Sequence, residues 1–202
     1  MFSRIDKAIS QVNNVGIWIS MSSSLIGKFE SINSENIKGI YTGDGMTYVY
    51  LHVYDYESNY WKNINHYRLQ GKTVTTAKRK DKTRFSGLET LTKYDFVGGA
   101  YSKLNMVAVM QFGIESVGFS PTLVGNKAYF VFWSELICLG NSINCEDDYE
   151  VEAIIENRNL TGKFYFGDKE IKEKLEKLIL KIYISKIMEE FIYLKMTKLN
   201  II

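Results

Sequence analysis

Short apolar and aromatic runs, each closed by polar or turn-forming residues, follow one another along the first three quarters of the chain. Such runs predict strands joined by turns. VGIWISM at 15–21 is the first. MTYVYLHVYDY at 46–56 is β-branched and aromatic and short of helix formers, so a strand is expected there despite an imperfect period. Residues 57–72 read as a polar loop anchored by Trp61 and Tyr67. A short strand at 73–77 is expected inside a long excursion over 72–90, and Gly98-Gly99 suggests a bend or a close backbone approach. NMVAVMQF at 105–112 predicts a strand. Residues 127–139 are nearly continuous hydrophobe, the pattern of a strand covered on both faces. A polar loop at 140–149 leads to a last strand at 150–156.

Two stretches carry a helical period instead. Ile5, Ala8, Ile9 and Val12 predict a short helix within 1–14. Ile171, Leu175, Leu178, Ile179, Ile182, Ile187, Phe191 and Leu194 recur among lysines and glutamates, with Glu173 and Lys177 one turn apart, so 168–196 predicts an amphipathic helix. The fold class expected is mainly β: an antiparallel β-sandwich with a C-terminal amphipathic helix.

Composition narrows this only a little. The 202 residues suit one domain or one and a fraction, and 46% apolar content is enough for a sizeable core. Fourteen tyrosines and 11 phenylalanines favour strands. A net charge of +2 with interspersed signs gives no extended basic face, so no nucleic-acid partner is expected. Arg68, Lys72, Lys78, Arg79, Lys80, Lys82 and Arg84 form one local basic cluster, which suits either an anionic polysaccharide or a solvated loop. No apolar run reaches the roughly 18 residues of a membrane span, and no membrane partner is expected. The first 14 residues lack the apolar core of a signal peptide. Cys138 sits in an apolar run and Cys145 before an acidic loop; a disulfide between them stays open, and two cysteines alone make no metal site. The acidic run Glu146, Asp147, Asp148 and Glu150 lacks a calcium-loop pattern and reads as a solvated turn. No metal and no cofactor are expected.

The densest candidate chemistry lies at 28–50, KFESINSENIKGIYTGDGMTYVY. Glu30, Asn33, Glu35 and Asn36 precede Gly39 and the Gly43-Asp44-Gly45 turn, and Tyr41, Tyr48, Tyr50 and Tyr54 follow or flank it. Amides and carboxylates beside aromatic rings suit a sugar-binding surface; a glycine-rich loop satisfying its own backbone has the same composition. Gly43-Asp44-Gly45 lacks both the third glycine of a dinucleotide fingerprint and the Gly-Lys-Ser/Thr of a phosphate loop. It reads as a turn with Asp44 bonding the backbone.

The order ESIN-x-EN-x-KG-x-YTGDGMTY resembles the signature stretch of the family-eight polysaccharide lyases, the hyaluronate, chondroitin AC and xanthan lyases. RIDKAI and ISMSSS upstream, then YW-(x5)-YRL-x-G-x-TV, FVGGA, AYFVFWSELICLGNSI and VEAIIENR downstream, fall in that family's order, so the resemblance covers roughly residues 3 to 160. It implies part of a large galactose-mutarotase-like supersandwich, the central domain of enzymes that cleave uronate-containing glycans by β-elimination. A base removes the C5 proton, an acid protonates the leaving oxygen, and the neighbouring carboxylate must be neutralised. In the family an asparagine, a histidine and a tyrosine on a preceding α/α toroid do this. The resemblance implies that Met1 starts after the toroid, so this carbon–oxygen lyase chain is expected to be a fragment, inactive alone. The toroid, as a separate chain, is then an expected partner beside an acidic, glycosaminoglycan-like polysaccharide.

By the same resemblance Glu30 matches the glutamate that hydrogen-bonds the catalytic arginine–tyrosine pair, a supporting role, and Asn33 matches an asparagine that lines the cleft and binds substrate. His52 and His66 do not match the catalytic histidine; His52 is expected in a strand and His66 in a loop, both structural or at the surface. Leu25, Gln70, Gln111 and Ser134 depart from the family's usual arginine, proline and acidic residues. The helical tail departs too, which suggests a disrupted frame near residue 163 and domains at 1–162 and 163–202. Lyases of this family are usually exported, so an extracellular location is expected. A non-catalytic carbohydrate-binding module and a decayed gene product are the alternatives.

Overall fold

The computed structural model describes residues 3–31, 33, 35–78, 81, 91–113 and 122–159, together with the backbone of five short strands beyond them. After a 3-10 turn at Ser3–Ile5, strand β1 (Lys7–Val12) turns at Asn13-Asn14 into β2 (Val15–Ser20), and a long irregular segment leads to β3 (Met46–Tyr50). The three form one antiparallel sheet in the order β1-β2-β3. The helix expected within 1–14 is therefore a strand over most of its length. Asn13 adopts φ +53, a left-handed conformation that asparagine tolerates, and closes a hairpin pairing Val12 with Val15 and Lys7 with Ser20. Ala8 and Val12 then face the core as a strand would present them.

The strand expected at 46–56 stops at Tyr50, because the Asp55 carboxylate accepts hydrogen bonds from the backbone N–H of Leu51 (2.7 Å) and His52 (3.0 Å) and turns the chain. His52 consequently lies exposed in a turn, not in a strand. The segment expected as a loop contains helix α1 (Ser58–Asn63), and Trp61 and Tyr67 pack against a second core as anticipated. Strand β4 (Thr73–Thr75) follows.

The larger sheet is a meander of β5 (Val97–Ser102), β6 (Asn105–Gly113), β7 (Val124–Phe132) and β8 (Glu135–Asn144). Gly98-Gly99 makes no bend; both lie within β5 and pair with β6. The hydrophobic run 127–139 is broken by Trp133, at φ +57, into the β7–β8 hairpin. Burial alternates along β7, so one face of the run meets the core and the other is only partly covered. Strand β9 (Val151–Asn159) pairs with β4.

Beyond residue 163 the backbone forms β10 (Phe164–Phe166), β11 (Lys169–Ile171), β12 (Lys177–Ile184), β13 (Ile187–Met188) and β14 (Ile192–Met196). β12 adds to the free edge of β9, while β13 and β14 add to β8. This replaces the amphipathic helix expected over 168–196 by strands at every described position. The residues LILKIYI are rich in β-branched and aromatic types, and two open sheet edges offer hydrogen bonds that an isolated helix would leave unused. Residues 172–176, 185–186 and 189–191 lie outside the described set.

The main core sits between the β1–β2–β3 sheet and the meander: Ala8, Ile17 and Ile19 meet Met106, Ala108, Met110, Tyr129 and Val131, with Val151 and Ala153 of β9 joining them. This is a sandwich of antiparallel sheets. On the outer face of the small sheet a second core gathers Tyr41, Met46, Tyr56, Tyr60, Ile64 and Leu69. The strip from Leu69 to Lys72 stitches the two regions together, since Thr47 N–H donates to the Gln70 carbonyl and Gly71 N–H to that of Ile154. Gln70 is fully buried, and its side-chain amide joins the hydroxyls of Tyr56 and Tyr60, which gives this departure from the family pattern a packing role.

Candidate functional site

The segment between β2 and β3 is irregular, yet it is held at its two ends by buried charge. Lys28 Nζ lies 2.8 Å from one oxygen of Asp44, and Lys72 Nζ lies 3.3 Å from the other. All three side chains are at most 2% exposed. Asp44 lies in a turn, as expected, and is also the charged centre of a buried cluster. The glycines on either side follow from this packing. A Cβ on Gly43 would fall 2.8 Å from the Cα of Lys28, and one on Gly45, which adopts φ +89, would fall 2.2 Å from the Tyr129 hydroxyl. That hydroxyl donates to the Gly45 carbonyl at 3.0 Å.

Between these anchors the loop is closed by its own polar residues. Ser31 Oγ donates to the Glu35 carbonyl (2.5 Å) and Asn36 Nδ2 to the Glu30 carbonyl (2.8 Å). Asn33 and Asn36 hold left-handed φ values of 53 and 54. Asn36 is therefore a loop-shaping residue. Glu30 and Asn33 lie on this one loop with their side chains exposed.

Next to the loop is a groove of about 430 Å³ lined by Asn36, Lys38, Thr42, Tyr48, Trp61 and His66 among others. The His66 ring is half-buried, with Nε2 2.7 Å from the Trp61 carbonyl. Burial holds its pKa below the ordinary histidine value, so at neutral pH the uncharged ring donates Nε2–H to that carbonyl and leaves the Nδ1 lone pair free to accept. Tyr48 is pushed well above the usual phenol range, mainly by burial, and stays a neutral hydrogen-bond donor. Lys38 is 4.0 Å from Asp81, which also accepts from the Tyr67 hydroxyl at 2.9 Å. The groove thus offers an amide, a hydroxyl, an aromatic wall, a neutral imidazole and a partly exposed ammonium: groups suited to hydroxyls and a carboxylate of a sugar.

Among the described residues, the basic positions expected to cluster around 68–84 do not share one face. Lys72 belongs to the buried Asp44 cluster, and Arg68 Nε pairs with Glu152 at 2.6 Å. Lys78 is exposed, while Arg79, Lys80, Lys82 and Arg84 lie outside the described residues. Cys138 and Cys145 are both free thiols; burial pushes Cys138 up to about 12. In the acidic run, Asp147 accepts the Thr122 backbone N–H at 2.7 Å, which ties the loop after β8 to the segment entering β7. Sequence reading missed Lys38, Trp61 and His66 as groove residues, since Lys38 lies in the loop before β3 and Trp61 and His66 in the stretch after it; only the aromatic enrichment around Trp61 signalled a packed region.

The profile of "Polysaccharide lyase family 8, super-sandwich domain" matches residues 1–184. Hyaluronate lyase HylB of Enterococcus faecalis is 30% identical over 173 residues, covering 82% of this chain and 17% of that protein. The structure of Paenibacillus xanthan lyase superposes with a TM-score of 0.70 at 31% identity, over 84% of this chain and 16% of that one. Streptomyces coelicolor A3 chondroitin AC lyase in complex with chondroitin sulphate gives 0.65 at 31% identity, over 77% of this chain and 21% of that one. The chain therefore spans about a fifth or less of each of these three relatives.

Proposed function

The chain belongs to polysaccharide lyase family 8 through its super-sandwich domain, and on that premise we propose that it supplies one wall of a cleft for an acidic, uronate-containing glycan. The observation that carries this reading is the pinned loop. Lys28, Asp44 and Lys72 fix its ends in the protein interior, so Glu30 and Asn33 are presented on a preorganised edge beside the Lys38–Tyr48–Trp61–His66 groove. On this reading Asn33 bonds substrate hydroxyls. Glu30 accepts hydrogen bonds from a cationic and phenolic pair on a neighbouring domain and so acts as a positioning residue. Proton abstraction and return come from that neighbouring toroid, joined to this chain or carried separately, and the protein works outside the cell on hyaluronan or chondroitin-type chains.

The test is calorimetric titration of the purified chain with hyaluronan and chondroitin sulfate oligosaccharides. Binding that weakens as salt rises, and that falls several-fold in N33A and in K38A, is the expected result. Unchanged binding in both variants would remove the groove from the proposal.

A further inference from the structure

The outer face of the β1–β2–β3 sheet is only half covered. Over Met46 and Tyr48 it carries the second core, with Tyr48 meeting Tyr56 and Trp61 edge-on at 5.1 and 6.4 Å. Across the ladder from Tyr48, Trp18 tilts against Tyr50 at 5.3 Å; Trp18 stays open to solvent, while Tyr50 is half-buried and also meets Tyr56 at 4.6 Å. Trp18 is 44% exposed and Tyr54 71%.

These rings border a concavity of about 810 Å³. Its floor is low because Gly16, opposite Tyr50 in the ladder, brings no side chain. One wall is the Asn13-Asn14 turn with Gln11 beside it, and the other is the turn that Asp55 closes, which carries Tyr54. None of the lining residues is acidic, lysine or arginine. The concavity shares no residue with the groove beside Glu30 and Asn33.

We propose that this concavity is a second glycan-binding site that takes an uncharged pyranose unit. The apolar face of the ring lies on Trp18 and Tyr54, and its hydroxyls bond the amides of Gln11, Asn13 and Asn14. The lining chemistry selects this ligand. A purely apolar partner would bury three amides without partners. A polyanion would find no lysine or arginine to neutralise it. Amides exchange bonds with paired hydroxyls as donor and acceptor at once, and indole and phenol rings cover C–H faces while tolerating a wet edge. The site goes beyond the cleft-wall reading and does not depend on it.

The experiment follows the Trp18 indole N–H and the Asn13 and Asn14 side-chain amides by NMR of the whole chain, titrated with cellotetraose, fully N-acetylated chitotetraose and a hyaluronan tetrasaccharide. A saturable shift with at least one uncharged sugar, insensitive to added salt, is expected. W18A and Y54A should each weaken it roughly ten-fold, while N33A leaves it unchanged. Y54A, at a more exposed position, serves where W18A does not fold. Silence with both uncharged sugars overturns the proposal. So does a response to hyaluronan alone that salt abolishes, or full binding by Y54A.

Discussion

A carboxylate between two ammonium groups in a dry interior holds them only while it keeps its charge. Asp44 does this for Lys28 and Lys72, and through Lys28 it fixes one end of the Glu30–Asn33 loop. Asp44→Asn leaves two buried ammonium groups facing a neutral amide. Unfolding in urea should show a loss of about 3–5 kcal/mol, and Lys28→Met added to it should restore part of that. An unchanged midpoint would mean the cluster is not charged. Lys127 tests the same interior from another side. Its Nζ donates to the Gly71 carbonyl, and burial lowers its pKa to about 8. Below that pH the group is charged in both states, and burying the charge weighs against the fold. Between about 8 and 10.5 the folded group is neutral while the unfolded one still binds its proton, so its contribution to stability rises with pH. The stability of the wild type relative to K127M should therefore improve by about 3 kcal/mol across that window. A difference that does not change with pH would show that Lys127 keeps its proton.

Strands were legible where polar or turn residues close a short run of strand-forming residues. Residues 15–21, 105–112 and 150–156 were read as strands on that ground, and the structure places β2, β6 and β9 on them; β6 alternates in burial, while β9 is buried on both faces. Elsewhere pairing decided the outcome. In 1–14 the spacing of Ile5, Ala8, Ile9 and Val12 fits a helical face, but Asn13-Asn14 lets the segment fold back on β2. In 168–196 a helical period coincides with the free edges of β9 and β8, which no local pattern reveals. That has a consequence for the isolated elements. A chain ending at residue 163 loses β12 and β14 and bares both edges, with full ladders of N–H and C=O groups. Size-exclusion chromatography with light scattering should then show dimers or larger aggregates. A stable monomer of the shortened chain would indicate that the tail strands contribute nothing to the sheets.

At the scale of the whole molecule, the order of motifs was far more informative than composition. The resemblance of ESIN-x-EN-x-KG-x-YTGDGMTY and its flanking blocks located the family, which the profile match over residues 1–184 bears out. The groove itself was not legible, because Lys38 from the loop before β3 meets Trp61 and His66 from the stretch after it only in the folded chain. What the groove contains also bounds what it can catalyse. Elimination next to a uronate needs a base for the C5 proton, a proton donor for the leaving oxygen and neutralisation of the carboxylate. Here His66 has a lowered basicity, Tyr48 is held protonated, and Lys38 shares Asp81 with Tyr67. No strong base stands opposite an acid across this groove among the described residues. Purified chain incubated with hyaluronan or chondroitin should therefore release no unsaturated uronate above the no-protein control, while retaining binding. Supplying a family toroid domain as a second polypeptide should raise release above that of the toroid alone, and E30Q should reduce the gain. Turnover by the chain alone would place the proton-transfer groups within these 202 residues and would make His66 the first residue to replace.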